Sequence, residues 1–316
     1  MRRLGPPLAL SLLCSPALPA AISPPPHEDI HFVAEHVPES AQDARYLALP
    51  GLGRPLAAGS WRTSFELGGA TSTAGPFDLS GLMLAAAASY GFTERSGLQL
   101  FGFYDSFSIA GGPGDDVLGA AGLRGVPLDL PERARFSDPR GDVRHFGVGA
   151  AWLRRLSPAS APRPWTLAAG WMLDRLEVDG FRVRFELLSG ADAGSTGTLD
   201  HSSRATFATP FVSCEQYRPL GERWALLPRA ALGAPLPAGD FDARISGSGF
   251  DRSTRAGDGS PGRIGDGFFA LGLGLERLPS GWEIDLGGAL FYPAFERVTH
   301  AGVDRAYTLR VAWHLR

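Results

Sequence analysis

Residues 82–108 read LMLAAAASYGF, then TERSG, then LQLFGFYDSFS. Two apolar runs of strand length flank a polar turn, with Tyr90 and Gly91 set just before it. Leu82, Leu84, Ala86, Ala88 and Tyr90 share one face at a period of two, and Met83, Ala85, Ala87 and Ser89 share the other. Successive strand residues point to opposite faces, so the second set predicts a crowded interior that admits small side chains. In the second run Leu98, Leu100 and Tyr104 share a face, while Phe101, Phe103 and Phe107 share the opposite one with Asp105. Neither of its faces stands out as the outer one, and a β-bulge would resolve the conflict.

The same arrangement of strand, tight turn and strand recurs outward from this hairpin, at Tyr217–Trp224 and at Leu275–Trp282. Trp61, Phe65 and Leu67 alternate with Arg62, Ser64 and Glu66. Phe146, Val148, Ala150 and Trp152 alternate with glycines and Ala151, and Trp165, Leu167, Ala169, Trp171 and Leu173 alternate with Thr166 and Asp174. Trp224, Leu226, Ala230 and Leu232 oppose Arg223 and Arg229. Phe269, Leu271, Leu273 and Leu275 oppose Gly272, Gly274 and Glu276. Trp282, Ile284, Leu286, Leu290 and Tyr292 oppose Glu283 and Asp285, and Tyr307, Leu309, Val311, Trp313 and Leu315 oppose Arg310 and His314. Two positions complicate the pattern. Asp179-Gly180 is a hairpin signal, yet a full extra crossing at Phe181–Leu187 would put the later turns on the wrong side. That run is therefore read as an excursion, either a small hairpin or a strand running on. Pro210 cannot donate to a ladder, so a bulge is expected there, letting Val212 and Cys214 face outward and Ser213 and Glu215 inward. Gly111–Val143 and Ala234–Arg263 read as long loops.

Composition agrees with this plan. The chain has 316 residues, 44% hydrophobic, with 41 glycines and 26 prolines and a formal charge of -3. That balance excludes a helical membrane bundle, and the absence of a basic excess argues against a nucleic-acid partner. Arg2, Arg3 and the apolar core Leu8–Leu13, followed by small residues to Ala20, read as a secretory signal peptide over 1–20. Its loss leaves Cys214 as a lone thiol, so no disulfide framework is expected. Residues 21–58 form a separate segment, periplasmic or luminal, with a short helix starting at Ser40. His27, His31 and Glu35 share a helical face there, but no HExxH or paired-cysteine spacing supports a metal, and none is predicted, nor any cofactor.

This combination resembles the outer-membrane β-barrels of Gram-negative bacteria. The resemblance covers 59–316 as an architecture and implies an all-β, antiparallel, up-and-down barrel of ten strands, with twelve as the alternative count. Turns are short on the periplasmic side and loops long on the other. It implies outer-membrane lipid and lipopolysaccharide as surroundings and the barrel-assembly machinery as a partner during insertion. The terminal strand departs from the usual pattern in ending on Arg316. Trp61, Tyr90, Trp152, Trp165, Trp224, Trp282 and Trp313 form the expected interfacial girdle. Arg62, Glu66, Asp174, Arg223, Arg229, Glu276, Glu283, Asp285 and Arg310 form the expected luminal charge network. Ten strands leave a narrow interior, so the expected function is a narrow channel for small solutes or a largely closed barrel.

The alternative is a surface hydrolase, since omptin proteases and lipid-active enzymes use such barrels. Its candidate residues are Asp115, Asp116, Asp142, His145, Asp200, His201, His300 and Asp304. The adjacent pair Asp200-His201 departs from the omptin spacing, and on a strand the two point to opposite faces. The reading therefore leans away from an enzyme.

Overall fold

The structure, a computed structural model, describes residues 49–53, 55–74, 77–111, 114–116, 134–158, 161–188, 194, 196–239, 241–247, 250–256, 268–278, 281–291 and 305–315. The signal segment 1–20, the helix expected from Ser40, and His27, His31, Glu35, His300 and Asp304 lie outside the described residues.

Ten strands form the ring: β1 Trp61–Ala74, β2 Phe77–Gly91, β3 Ser96–Ala110, β4 Ala134–Arg155, β5 Trp165–Leu187, β6 Thr196–Gln216, β7 Trp224–Gly233, β8 Phe268–Arg277, β9 Trp282–Phe291 and β10 Arg305–Leu315. Each pairs antiparallel with its neighbour in the chain. The ring closes where β1 meets β10, with Phe65 opposite Trp313 and Leu67 opposite Val311. Closure gives every strand two partners, which is what a bilayer demands of backbone polar groups.

Alternation then sorts the side chains. Phe65, Leu67, Leu82, Leu84, Val148, Trp171, Leu173, Leu271, Leu273, Leu286 and Leu309 all point outward and are exposed to the surroundings, while Arg62, Glu66, Gln99, Glu215, Glu276, Glu283 and Arg310 point inward and are buried. An exposed apolar belt around a buried polar lining is the inverse of a soluble protein, and its stable solvent is lipid. The chain is an integral outer-membrane β-barrel.

Two expectations need correction, and a third is settled in favour of one of its two alternatives. β3 carries no bulge; its register is continuous against both β2 and β4. Its face with Asp105 is the inner one, because Phe101, Phe103, Asp105 and Phe107 are all buried. The ladder also runs unbroken through Pro210, which sits opposite Trp171, and Phe211 points inward with Glu215. No bulge is needed because the hydrogen-bonding side of Pro210 faces the place where β7 has ended; its carbonyl still accepts from the Ala234 amide at 3.2 Å. At Asp179-Gly180 the strand running on, rather than the small hairpin, is what forms. β5 runs straight on through it, flanked by β4 and β6 on both sides, so no strand can fold back there. The extra residue becomes a bulge with Gly180 at φ +60. The inward parity accordingly changes from Leu176 and Val178 to Phe181 and Val183, all fully buried.

β4, β5 and β6 are 22, 23 and 21 residues long, against roughly 10 needed to cross a bilayer. About half of each therefore stands above the apolar belt. Their outward residues there are charged, including Arg135, Arg144, Arg182 and Arg184. The stretch read as the loop 234–263 supplies a further hairpin, Phe241–Gly247 with Phe250–Ala256, which extends β6 through Leu199–Arg204.

Candidate functional site

The lumen has two unlike walls. Met83 and Ala87 of β2, Phe101 and Phe103 of β3, Ala151 and Leu153 of β4, Ala168 and Met172 of β5 and Phe211 of β6 make one wall apolar. The other is built from β1 and β7–β10, joined by Glu215 at the end of β6, and is charged. There Arg310 Nη1 lies 2.5 Å from Glu66 Oε2, and Arg229 Nη2 lies 2.5 Å from Glu283 Oε1. Arg229 Nε also faces Glu215 at 3.4 Å, and His314 Nε2 meets the second oxygen of Glu283 at 2.9 Å. Glycine makes room for these groups: a Cβ at Gly274 would stand 2.2 Å from Glu283 Oε1. Ion pairs this deeply buried are stable only when each charge keeps its partner.

Between the walls lies a strap, Leu49-Pro50-Gly51-Leu52-Gly53, buried inside the ring. It satisfies both sides at once. Leu49 and Leu52 join the apolar cluster. Its backbone polar groups turn to the charged wall: the Leu52 amide donates to Glu215 Oε2 at 3.1 Å, and Arg310 Nη1 donates to the Leu49 carbonyl at 3.1 Å. Arg62 donates to the Leu52 carbonyl, and Gln99 Nε2 donates to the Gly51 carbonyl at 3.3 Å. Position requires glycine at 53 and favours it at 51. Gly53 holds φ +55, and a Cβ there would meet Arg62 at 2.8 Å; one at Gly51 would press on Arg229 at 3.2 Å. A cavity of about 20 Å³ remains beside Leu49, Leu52, Glu215 and Arg229, room for about one water molecule.

A second buried polar group sits higher, where the outer surface changes from Phe146 to Arg144. His145 Nε2 lies 2.7 Å from Asp174 Oδ2 and His145 Nδ1 lies 3.8 Å from Asp105. Thr209 donates to the other oxygen of Asp174 at 3.1 Å, and the ring of Phe103 packs edge-on against the imidazole. Four consecutive strands, β3 to β6, each contribute one member. All four are fully buried or nearly so.

The expected network is distributed as follows. Arg62, Glu66, Asp174, Glu276, Glu283 and Arg310 are buried, and Arg229 is nearly so. Arg223 is a correction: it lies in the exposed turn Gly221–Arg223, because β7 begins one residue later, at Trp224. Asp285 stands opposite Arg310 in the β9–β10 register. Among the hydrolase candidates, His145 is fully buried, which is a further correction to a surface role. Asp142 accepts from Ser108 at 3.2 Å, and Asp200 is held by Arg182 at 2.5 Å. Asp115 and Asp116 lie on a short strand, Gly114–Asp116, paired with the start of β4, and the backbone of His201 is on β6 opposite Phe181.

The aromatics lie at the turn end of the strands. Trp61 packs on Tyr90 at 4.6 Å, Tyr90 on Phe92 at 5.3 Å, Phe92 on Trp152 at 5.5 Å and Trp224 on Trp282 at 6.0 Å. Trp165 and Trp313 are exposed at the same level.

The sequence matches no protein-family description and no curated protein. Among solved structures it is similar to the outer membrane protease OmpT from Escherichia coli, at 8% identity and TM-score 0.41 over 81% of this chain and 96% of that one. It is also similar to the translocator domain of autotransporter NalP from Neisseria meningitidis, at 11% identity and TM-score 0.34 over 92% and 99%. A third is the outer membrane protein OprG from Pseudomonas aeruginosa, at 9% identity and TM-score 0.31 over 82% and 98%. None of these likenesses bears on chemistry.

Proposed function

We propose that this outer-membrane barrel is a narrow passage for small polar solutes, held shut at rest by its own strap. The observation that carries the reading is the seating of Leu49–Gly53. Four hydrogen bonds from β1, β3, β6 and β10 hold its backbone, and its leucines fill the space between the walls. A ring of ten strands encloses little space beyond its inward side chains, so a strap across that space stops flow. The polar wall behind it is what a hydrated solute would meet once the strap moves.

Planar-bilayer recording tests this. The intact protein should give small or rare openings. Deleting residues 22–53, which leaves β1 whole, should give steady current. Large, steady current from the intact protein would overturn the strap as the closing element. Silence from the deletion variant, in a form that still migrates as a folded barrel in unheated detergent, would overturn the passage itself.

A further inference from the structure

The strap Leu49-Pro50-Gly51-Leu52-Gly53 has no polar side chain, so the lumen holds it by its peptide groups. Arg310 donates to the Leu49 carbonyl, Gln99 to the Gly51 carbonyl and Arg62 to the Leu52 carbonyl, while Glu215 accepts from the Leu52 amide. Both main-chain groups of Leu52 are therefore read, its amide from β6 and its carbonyl from β1. Pro50 brings no N–H that needs an acceptor. The only other feature engaged is apolar bulk at Leu49 and Leu52, which join the cluster holding Phe101, Phe103 and Met172. The seat thus has no means of telling the strap from a free peptide with the same pattern.

The four contacts have the chemistry of a binding site. A carbonyl leaves water on entering the lumen, and burying it unpaired is costly. Arg62 and Arg310 offset that cost with charge-assisted hydrogen bonds, which are stronger than neutral ones. The fit also limits which side chains are accepted. A Cβ at position 51 would press on Arg229 at 3.2 Å, and one at position 53 would meet Arg62 at 2.8 Å. A charged side chain at position 49 or 52 would lie against the apolar wall with nothing there to pair it. We infer that the lumen is a binding site for short uncharged peptides of the pattern apolar, any, glycine, apolar, glycine, and that these are the solutes the passage recognises. The inference rests on the reading of the strap as a removable stopper, which occupies the site as a tethered ligand.

Saturation-transfer NMR of the full chain in detergent tests the site, with the blocked peptide acetyl-Leu-Pro-Gly-Leu-Gly-amide as probe. The full-length variant L49S/L52S takes the leucines of the strap off the apolar wall and leaves every residue of the seat in place. It should bind the probe at least tenfold more tightly than the unaltered chain does, because the intact strap competes from a high local concentration. Two altered probes should each bind that variant severalfold more weakly. One carries aspartate for its second leucine, and the other has an ester in place of the amide that donates to Glu215. Equal binding by the variant and the unaltered chain, or equal binding of altered and unaltered probes, would overturn the inference. Folding is checked by heat-dependent migration; should L49S/L52S fail, L52S alone is used, with a severalfold gain expected. Planar-bilayer current reads the passage separately, and in a conducting variant the probe should lower the current in proportion to its occupancy. A variant that conducts without binding the probe would overturn the peptide site and leave the passage standing. One that binds the probe and stays silent would overturn the passage and leave the binding site standing.

Discussion

The two walls of the lumen solve one problem by opposite means. The β2–β6 wall fills space with Met83, Phe101, Phe103, Leu153 and Met172, as a soluble core would. The wall from β1 and β7–β10 fills it with Glu66–Arg310 and the Arg229–Glu283–His314 group. The first tolerates loss in proportion to the volume removed. The second fails when any one charge is left alone. An apolar wall is also indifferent to what slides past it, whereas a charged wall can hold a backbone by its carbonyls and amide. The strap uses both, the first for its leucines and the second for three of the four hydrogen bonds to its peptide groups, the fourth coming from Gln99 of β3.

The largest effect is expected where the charged wall is broken. Glu283→Ala removes the carboxylate that meets His314 and one of the two that face Arg229, and should lower stability by about 3–5 kcal/mol, read as the urea midpoint of the barrel in lipid. A loss under 1 kcal/mol would mean the wall is solvated and the pairs loose. Met172→Ala makes the matching cut in the apolar wall and should cost about 3 kcal/mol. If it costs more than Glu283→Ala, the ranking of the two walls is reversed. On the outer face, Leu286→Arg, at 58% exposure, should cost about 2–3 kcal/mol in a bilayer, while Glu222→Arg in the exposed turn should cost almost nothing. Equal tolerance would place the belt elsewhere. The smallest loss of stability among the buried sites belongs to the strap: Gly53→Ala forces a left-handed backbone on alanine, about 1 kcal/mol. Its larger readout is electrical, as more frequent openings in bilayer recordings.

The charged wall was legible because β1, β8, β9 and β10 alternate cleanly between apolar and polar residues, so parity alone turns Glu66, Glu276, Glu283 and Arg310 inward. The apolar wall was not. Phe101 and Phe103 look like lipid-facing residues until register places them inside, since both faces of β3 are apolar and Asp105 was the one sign of which face is inner. His145 and Asp174 sat in different categories for the same reason. They lie on the same face, two places out of direct register across β4 and β5, and no single-strand pattern brings them together. Asp179-Gly180 left two readings open because a bulge and a two-residue turn want the same residues; the choice between them rests with the neighbouring strands. Leu49–Gly53 carried no alternation at all. Its role comes from where its backbone lies, which side-chain periodicity does not encode.

The strap is joined to β1 by a short tether, since eight residue steps separate Gly53 from Trp61. Fully extended, that chain reaches about 28 Å, so a displaced strap stays near the mouth it left. Its local concentration there is on the order of millimolar. Reseating is therefore intramolecular, with a rate that does not depend on how many copies occupy the membrane. A severed strap supplied as free peptide would need millimolar amounts to do the same work. If the strap closes the passage as proposed, covalent continuity with the first strand makes the barrel carry its own stopper at a fixed, high dose.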